Sequence, residues 1–426
     1  MKRVLMVIPF FPPMGGGGVY RPLSFVRYLP ANGWRVTVIA PRGDAFWIRD
    51  ESLLERIPAD TRVIRTETWS GQAVLRRGGA VRQSRSSQGF GALRRLGATV
   101  MMPDTYVGWY PFALRAAMRE LRGGGYDAIY STSPPESAHL VGATLHRRTR
   151  LPWVADFRDP WMNLHLMDVP SPLHAAFHRR LERMVCRQAE LVATTAWSER
   201  LLRCAWQAAR VTRISNGYDG EEMAAVASVQ PPAGGPMRIV HAGMLTLRRS
   251  AVPFLEALRA LQDRRPDARG NIDVEFAGAR EDENDRAAAR LGLTDCVRFV
   301  DTVAHTDMLR RERAAHILLL IKHADPRYNG LVPGKLYEYI GLRRPVLALV
   351  PPGEALELVR SLRRGETVDP ADAAAISRVL EHLYDLHRAG GLDAAFDLSE
   401  QPQLERSRLA ARLGAVLDRA TEGGGA

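Results

Sequence analysis

Five stretches of this chain carry residue types whose spacing could do chemistry. Pro12-Pro13-Met14 runs into Gly15, Gly16, Gly17 and Gly18. Four glycines in a row let the backbone approach a ligand, and a helix behind them would aim its N-terminus at an anion. A tight turn for close packing is the plainer role for Gly17 and Gly18. The run is not a dinucleotide fingerprint: its third glycine would fall on Tyr20 or Arg21, and Ala40-Pro41 stands where a ribose-binding acid is expected. Asp156-Phe157-Arg158-Asp159-Pro160 sets two carboxylates three apart around a guanidinium. That is a polar cluster able to face a ligand, or an Asp–Arg pair capping a turn. Thr132 and Ser133, in Ser131–Ser137, offer hydroxyls before a helix or serve as its cap. The segment Ile321–Tyr339 is flanked by two of the chain's three lysines, Lys322 and Lys335. Pro333 suits the first turn of a helix whose free N–H groups, with Gly334 and Lys335, could take a diphosphate. Glu338, one turn on, could reach sugar or ribose hydroxyls; a solvated lysine and a core-edge glutamate are the alternative. Finally, His241–Ser250 reads strand, glycine, then Arg248 and Arg249, for phosphate contact or as a surface arginine pair.

All five stretches follow expected strands. Apolar runs at Val4–Phe11, Arg35–Ala40, Val63–Thr66, Ala128–Ser131, Trp153–Phe157, Leu191–Thr194 and Val211–Ile214 alternate with helical patterns such as Val19–Leu29 and Tyr110–Leu121. After Asn216-Gly217 and the Pro231–Pro236 linker the alternation restarts. Strands are expected at Arg238–Ala242, Asp273–Ala277, Val297–Val300, His316–Ile321 and Val346–Val350, and a last amphipathic helix at Gln403–Ala420. The fold expected is α/β, two doubly wound Rossmann-like domains facing a cleft: residues 1–215, residues 216–400, and 401–426 as a helix crossing back plus a tail. Ligands of such sheets sit at the carboxyl ends of strands, where these stretches lie.

Composition bounds the rest. At 426 residues, 46% hydrophobic and 25% charged, the chain is neither disordered nor fibrous. Three scattered cysteines exclude a disulfide framework and suit a reducing, cytoplasmic setting. A net charge of +12 comes almost wholly from arginine. Codon bias explains that, as does attraction to anionic headgroups or phosphorylated substrates. No nucleic-acid signature accompanies it. Between Thr68 and Pro103 there is no acidic residue, while Arg76, Arg77, Arg82, Arg85, Arg94 and Arg95 give a basic loop suited to the inner face of a membrane. No run approaches the ~18 apolar residues of a membrane span. With no H-E-x-x-H, Cys/His cluster or Asp-x-Asp, neither a metal nor a resident cofactor is expected.

The ordered set of Pro12-Pro13 with the glycine run and Arg21, Ala155–Trp161, Ser215–Asp219, and Gly334–Tyr339 followed by Arg344-Pro345-Val346 resembles GT-B glycosyltransferases. It is most similar to the retaining, glycogen-synthase-like group 1 family, over nearly the whole chain. That resemblance implies a nucleotide-sugar donor held mainly by the second domain, and an acceptor held by the first. On matching positions, Gly334 and Lys335 would hold the diphosphate, Glu338 would contact hydroxyls, and Arg249 would sit where the family has a phosphate-binding lysine. Gly17 and Gly18 would join the donor side; Arg21, Thr132 and Ser133 the acceptor side. Gly330 replaces the first of the family's paired glutamates, Met244 its usual arginine, and Thr132 or Ser133 its histidine. Asp156, Arg158 and Asp159 are then the candidates for the histidine's catalytic role.

The reaction implied transfers a sugar with retention of configuration to a glycan, lipid-linked sugar or small natural product, the leaving diphosphate taking the acceptor's proton. A nucleotide-sugar 2-epimerase, a silent nucleotide-sugar binder and a basic membrane-docking protein remain alternatives.

Overall fold

The computed structural model describes residues 1–42, 49–69, 101–162, 169, 171–208, 210–246 and 249–423. Its contacts divide the chain into two compact units, Met1–Asn216 with Arg406–Ala426, and Gly217–Glu405. The basic loop from Arg76 to Arg95 lies outside the described residues, as does Arg248.

The first unit is a seven-stranded parallel sheet. Its strands are β1 (Lys2–Val7), β2 (Trp34–Pro41), β3 (Arg62–Thr66), β4 (Ala128–Ser133), β5 (Trp153–Phe157), β6 (Glu190–Ala193) and β7 (Val211–Arg213). They lie in the order β3-β2-β1-β4-β5-β6-β7. Along β1, Val4 and Met6 point into one core and Leu5 and Val7 into the other, so the strand is apolar throughout because both faces are covered. On the first face lie α1 (Gly17–Tyr28) and the chain's last helix; on the second lie α2 (Tyr110–Arg122), α3 (Ser137–Thr149), α4 (Pro172–Gln188) and α5 (Ala196–Trp206).

The second unit repeats the plan after the short α6 (Gly220–Ala225). Strands β8 (Met237–Ala242), β9 (Ile272–Ala277), β10 (Val297–Val300), β11 (Ile317–Ile321), β12 (Val346–Leu349) and β13 (Gly365–Val368) order as β10-β9-β8-β11-β12-β13. Ile239, Leu319 and Leu347 pack against α7 (Val252–Arg264) and α12 (Ala373–Arg388), with α8 (Asp282–Arg290) beside them. Val240, Leu318 and Ala348 pack against α9 (His305–Arg313), α10 (Gly334–Gly341) and α11 (Glu354–Ser361). The final helix, α13 (Arg406–Glu422), belongs to the first unit and lays Leu409, Leu413, Val416 and Leu417 on the β1 face. In each sheet the order reverses beside the first strand, at β1/β4 and at β8/β11. Those switch points are where open sheets bind ligands.

Two expected boundaries moved for physical reasons. β1 ends at Val7 rather than Phe11, because Pro9 has no N–H for the ladder. α1 starts two residues before Val19, and Gly16, at φ 94°, supplies the left-handed entry that favours glycine. β13, α11 and α12 went unread in sequence; Gly353, Gly365 and Pro370 break that stretch into short, weakly patterned pieces.

Candidate functional site

Beside the first switch point, α1 and the strands β4 and β5 converge on a buried ion pair. Arg21 donates from Nε to Asp156 Oδ2 at 3.0 Å and from Nη2 to Oδ1 at 2.8 Å. Tyr130 and Thr132 hydroxyls donate to the same Oδ2, at 2.7 and 3.0 Å. Burial pushes the Asp156 carboxyl up, but the Arg21 guanidinium and these hydrogen bonds outweigh it and hold it below the carboxylate range. Asp156 has 0% exposure, so it has no surface through which to meet a substrate. Arg21, expected on the acceptor side, is likewise buried, and its Nη1 donates to the Ser215 carbonyl at 2.7 Å.

Arg158 spends its guanidinium on backbone. Nε donates to the Ser133 carbonyl at 3.2 Å, Nη1 to Gly18 at 2.6 Å and Nη2 to Pro134 at 2.7 Å. The Gly18 contact has a local cause. Pro22 lies inside α1 and cannot donate to the carbonyl four residues back, so Arg158 satisfies it instead. A Cβ on Gly18 would stand 2.7 Å from Arg158 Nη1, so this glycine makes room for an arginine. Gly17 meets nothing within 4 Å and begins the helix in open space. Asp159 is half-buried and makes no hydrogen bond or ion pair among the described residues; burial raises its carboxyl. Ser133 is fully buried, and its hydroxyl lacks a hydrogen-bond partner.

At the second switch point the cations gather. α10 begins at Gly334, with Pro333 as the residue before it rather than inside its first turn. The N–H groups of Gly334 and Lys335 have no acceptor within the helix by position, and a Cβ on Gly334 would meet nothing within 4 Å. Lys335 Nζ bridges Glu338 at 2.7 Å and Glu312 of α9 at 3.0 Å. Burial pulls the Lys335 ammonium down, but the two carboxylates outweigh it and raise it. Glu312, fully buried, is lifted by burial to about 7 against the pull of Lys335, and repulsion from the Glu338 carboxylate adds to the rise. Arg249 is half-buried, its guanidinium makes no hydrogen bond or ion pair among the described residues, and burial lowers it. It lies within electrostatic reach of His241 and Lys322.

Sequence reasoning left His241, Glu312 and Tyr339 without roles. His241 Nδ1 meets the Leu319 carbonyl at 2.9 Å, which leaves Nε2 as a buried acceptor without a partner, facing Gly243. Burial, with Lys335 and Arg249 nearby, brings the imidazole down to about 4, so it is neutral. The Tyr339 hydroxyl accepts from the Ala242 N–H at 3.0 Å and donates to Leu319, which ties α10 to β8 and β11. Lys322 is a staple: its ammonium donates to the carbonyls of Tyr328 and Leu331 and fixes the loop leading to Gly334. The scarcity of lysine signalled Lys322 and Lys335; nothing in the sequence near Glu312 signalled it.

Residues 15–217 match the family described as a glycosyl transferase 4-like domain. Over 153 residues the chain is 30% identical to the D-inositol 3-phosphate glycosyltransferase of Streptomyces avermitilis, covering 34% of this chain and 32% of that protein. Over residues 15–217 the chain is similar to glycosyl transferase 4-like domains. Its fold is GT-B. A glycosyltransferase from Rickettsia africae superposes with a TM-score of 0.65 at 13% identity, over 98% of both chains. Anabaena HepE, solved in complex with UDP and glucose, gives 0.62 at 15% identity over 98% of this chain and all of that one. The curated relative is matched over about a third of its length. No helix among the described residues is long and apolar enough to cross a membrane.

Proposed function

We propose that the chain is a group 1 glycosyltransferase, which moves a sugar from a nucleotide-diphosphate donor, held by the second unit, to an acceptor held by the first. The observation that carries the reading is the start of α10. Open backbone N–H groups, Lys335 and the Arg249 guanidinium, unpaired among the described residues, stand together at the β8/β11 switch point, and a diphosphate needs such a cradle. The HepE complex with UDP and glucose is in keeping with a uridine donor. Arg249 and the helix start supply positive charge where the diphosphate leaves, so the transfer proceeds without a metal. The departing phosphate oxygen takes the acceptor's proton on the face it leaves, which retains configuration. Glu338, anchored by Lys335, is the hydroxyl contact on the donor sugar or ribose.

A thermal-shift and hydrolysis screen over UDP-, GDP-, ADP- and dTDP-sugars tests this, with Arg249→Ala as the control. One donor should raise the midpoint and release nucleotide slowly, with both effects lost in the variant. Equal shifts in parent and variant, or none with any donor, reject it.

A further inference from the structure

The ammonium of Lys335 is shared by two carboxylates where one would serve. Glu338, three residues on in α10, holds it at 2.7 Å, and Glu312 of α9 holds it through Oε1 at 3.0 Å. The Lys335 side chain keeps 27% of its surface and that of Glu338 10%, whereas that of Glu312 keeps none. From its own helix, Glu312 has His305 within electrostatic reach, two turns earlier on the same face. His305 in turn meets Glu222 of α6 at 3.2 Å. From α10 come Lys335, Glu338 and the Tyr339 hydroxyl, which is already bonded to Ala242 and Leu319. One ammonium against two carboxylates leaves this group net negative.

That sign is wrong for an anion site. The N–H groups of Gly334 and Lys335 and the Arg249 guanidinium make a cradle for a diphosphate, yet the ammonium beside them is outnumbered by its own carboxylates. A buried carboxylate in excess of its cation is costly, and a structural ion pair needs only Glu338. Two carboxyls that share one cation exchange protons as a pair, and the more deeply buried one is the better place for the proton. Burial, helped by Glu338 and opposed by Lys335 and His305, lifts Glu312 to about 7. Its Oε1 faces the ammonium and its Oε2 makes no hydrogen bond among the described residues, so Oε2 is the oxygen that can take a proton.

Resting on the donor reading above, we infer that Glu312 is a positioning residue of the donor site: it holds Lys335 at the start of α10, and it takes up a proton from solvent as the donor diphosphate replaces it at the ammonium. Glu312 does not touch the donor; it acts through Lys335, which keeps its own proton. A carboxylate becomes a carboxylic acid, and no covalent bond forms or breaks. Glu338 keeps the lysine anchored from within α10. The complex then binds one proton more than the free protein does. Donor affinity is therefore greatest below the range in which Glu312 titrates and falls as pH rises through it.

Titration calorimetry on the full chain, from pH 6 to pH 8, tests the inference. The probes are UDP-glucose, GDP-mannose, ADP-glucose and dTDP-glucose, whose diphosphates are esterified at both ends and exchange no proton near neutrality. The donor that binds should give, at pH 8, heats in phosphate and in Tris that differ by the uptake of about one proton. Lys322, brought down to about 8 by burial, titrates in the same window, but equally in parent and variant. Glu312→Gln has the same size and no carboxylate. It should match the parent at pH 6, bind about tenfold tighter than the parent at pH 8, and take up about one proton fewer there. A pH profile and a buffer dependence that parent and variant share would overturn the inference and leave the donor reading standing. Absence of proton uptake by the parent at pH 8 overturns it without recourse to the variant. Binding of none of the four donors, in parent and variant alike, overturns both.

Discussion

Asp156 shows how little a residue's type says until its face is known. Along β5, Ala155 and Phe157 turn toward α2 and α3, while Asp156 turns with Val154 toward α1, where Arg21 waits. The pair is sealed, so its removal should act on folding before catalysis. Asp156→Ala should cost about 3–5 kcal/mol in a urea melt, because it strands a buried guanidinium. A variant as stable as the parent but without turnover would return the residue to the chemistry. Glu136 offers a test by pH. Its native carboxyl, near 8, binds a proton that the unfolded chain, with its usual 4.5, has already released. Its contribution is complete below 4.5, and stability falls as pH rises through 4.5 to 8. Glu136→Gln carries no such proton, so its midpoint should gain on the parent between pH 5 and pH 9. A constant difference across that range would mean that Glu136 ionises normally.

At the scale of elements, α1 and α10 each depend on a partner far away in sequence. Pro22 leaves a carbonyl in α1 that Arg158 caps through the gap at Gly18. Gly18→Ala should therefore destabilise by about 1–3 kcal/mol, from overpacking and the lost hydrogen bond, although alanine is the better helix former. A stabilised variant by calorimetry would mean that Arg158 is free to move. In α10 two cations that look alike in sequence should part company. Lys335→Ala leaves Glu312 and Glu338 facing each other in the interior and should lower the melting midpoint with or without nucleotide. Arg249→Ala removes no internal partner, so it should keep stability within about 1 kcal/mol while losing the nucleotide-induced shift. Matching behaviour of the two variants would sink the division of roles.

Over the whole molecule, the last helix is the element whose loss should do most damage. α13 covers the β1 face with Leu409, Leu413, Val416 and Leu417, each at most 2% exposed. At about 1.5–3 kcal/mol per buried aliphatic side chain, those four contribute as much as the net stability of an ordinary domain. A chain ending at residue 405 should lose cooperative unfolding of the first unit in scanning calorimetry, yet keep one transition from Gly217–Glu405. A full-length thermogram from the truncated chain would contradict that accounting.

The alternating apolar runs determined the fold before any contact was known. Val4 to Val7 reads as a strand covered on both faces, and Trp153–Phe157 ends where its ladder ends, because hydrophobic period and Pro/Gly punctuation are local properties. The same locality marked the loops, since glycine, proline and lysine at strand ends are visible one segment at a time. What those loops do was settled by partners that only the sheet order brings together. Arg21 reaches Asp156 across 135 residues, and Lys335 reaches Glu312 across 23. One acidic side chain became a sealed counter-ion, and another, Glu136, makes no ion pair among the described residues, and no local pattern separates those fates. Burial and the neighbour across the switch point fix a carboxylate's charge, and both exist only once the sheet has closed.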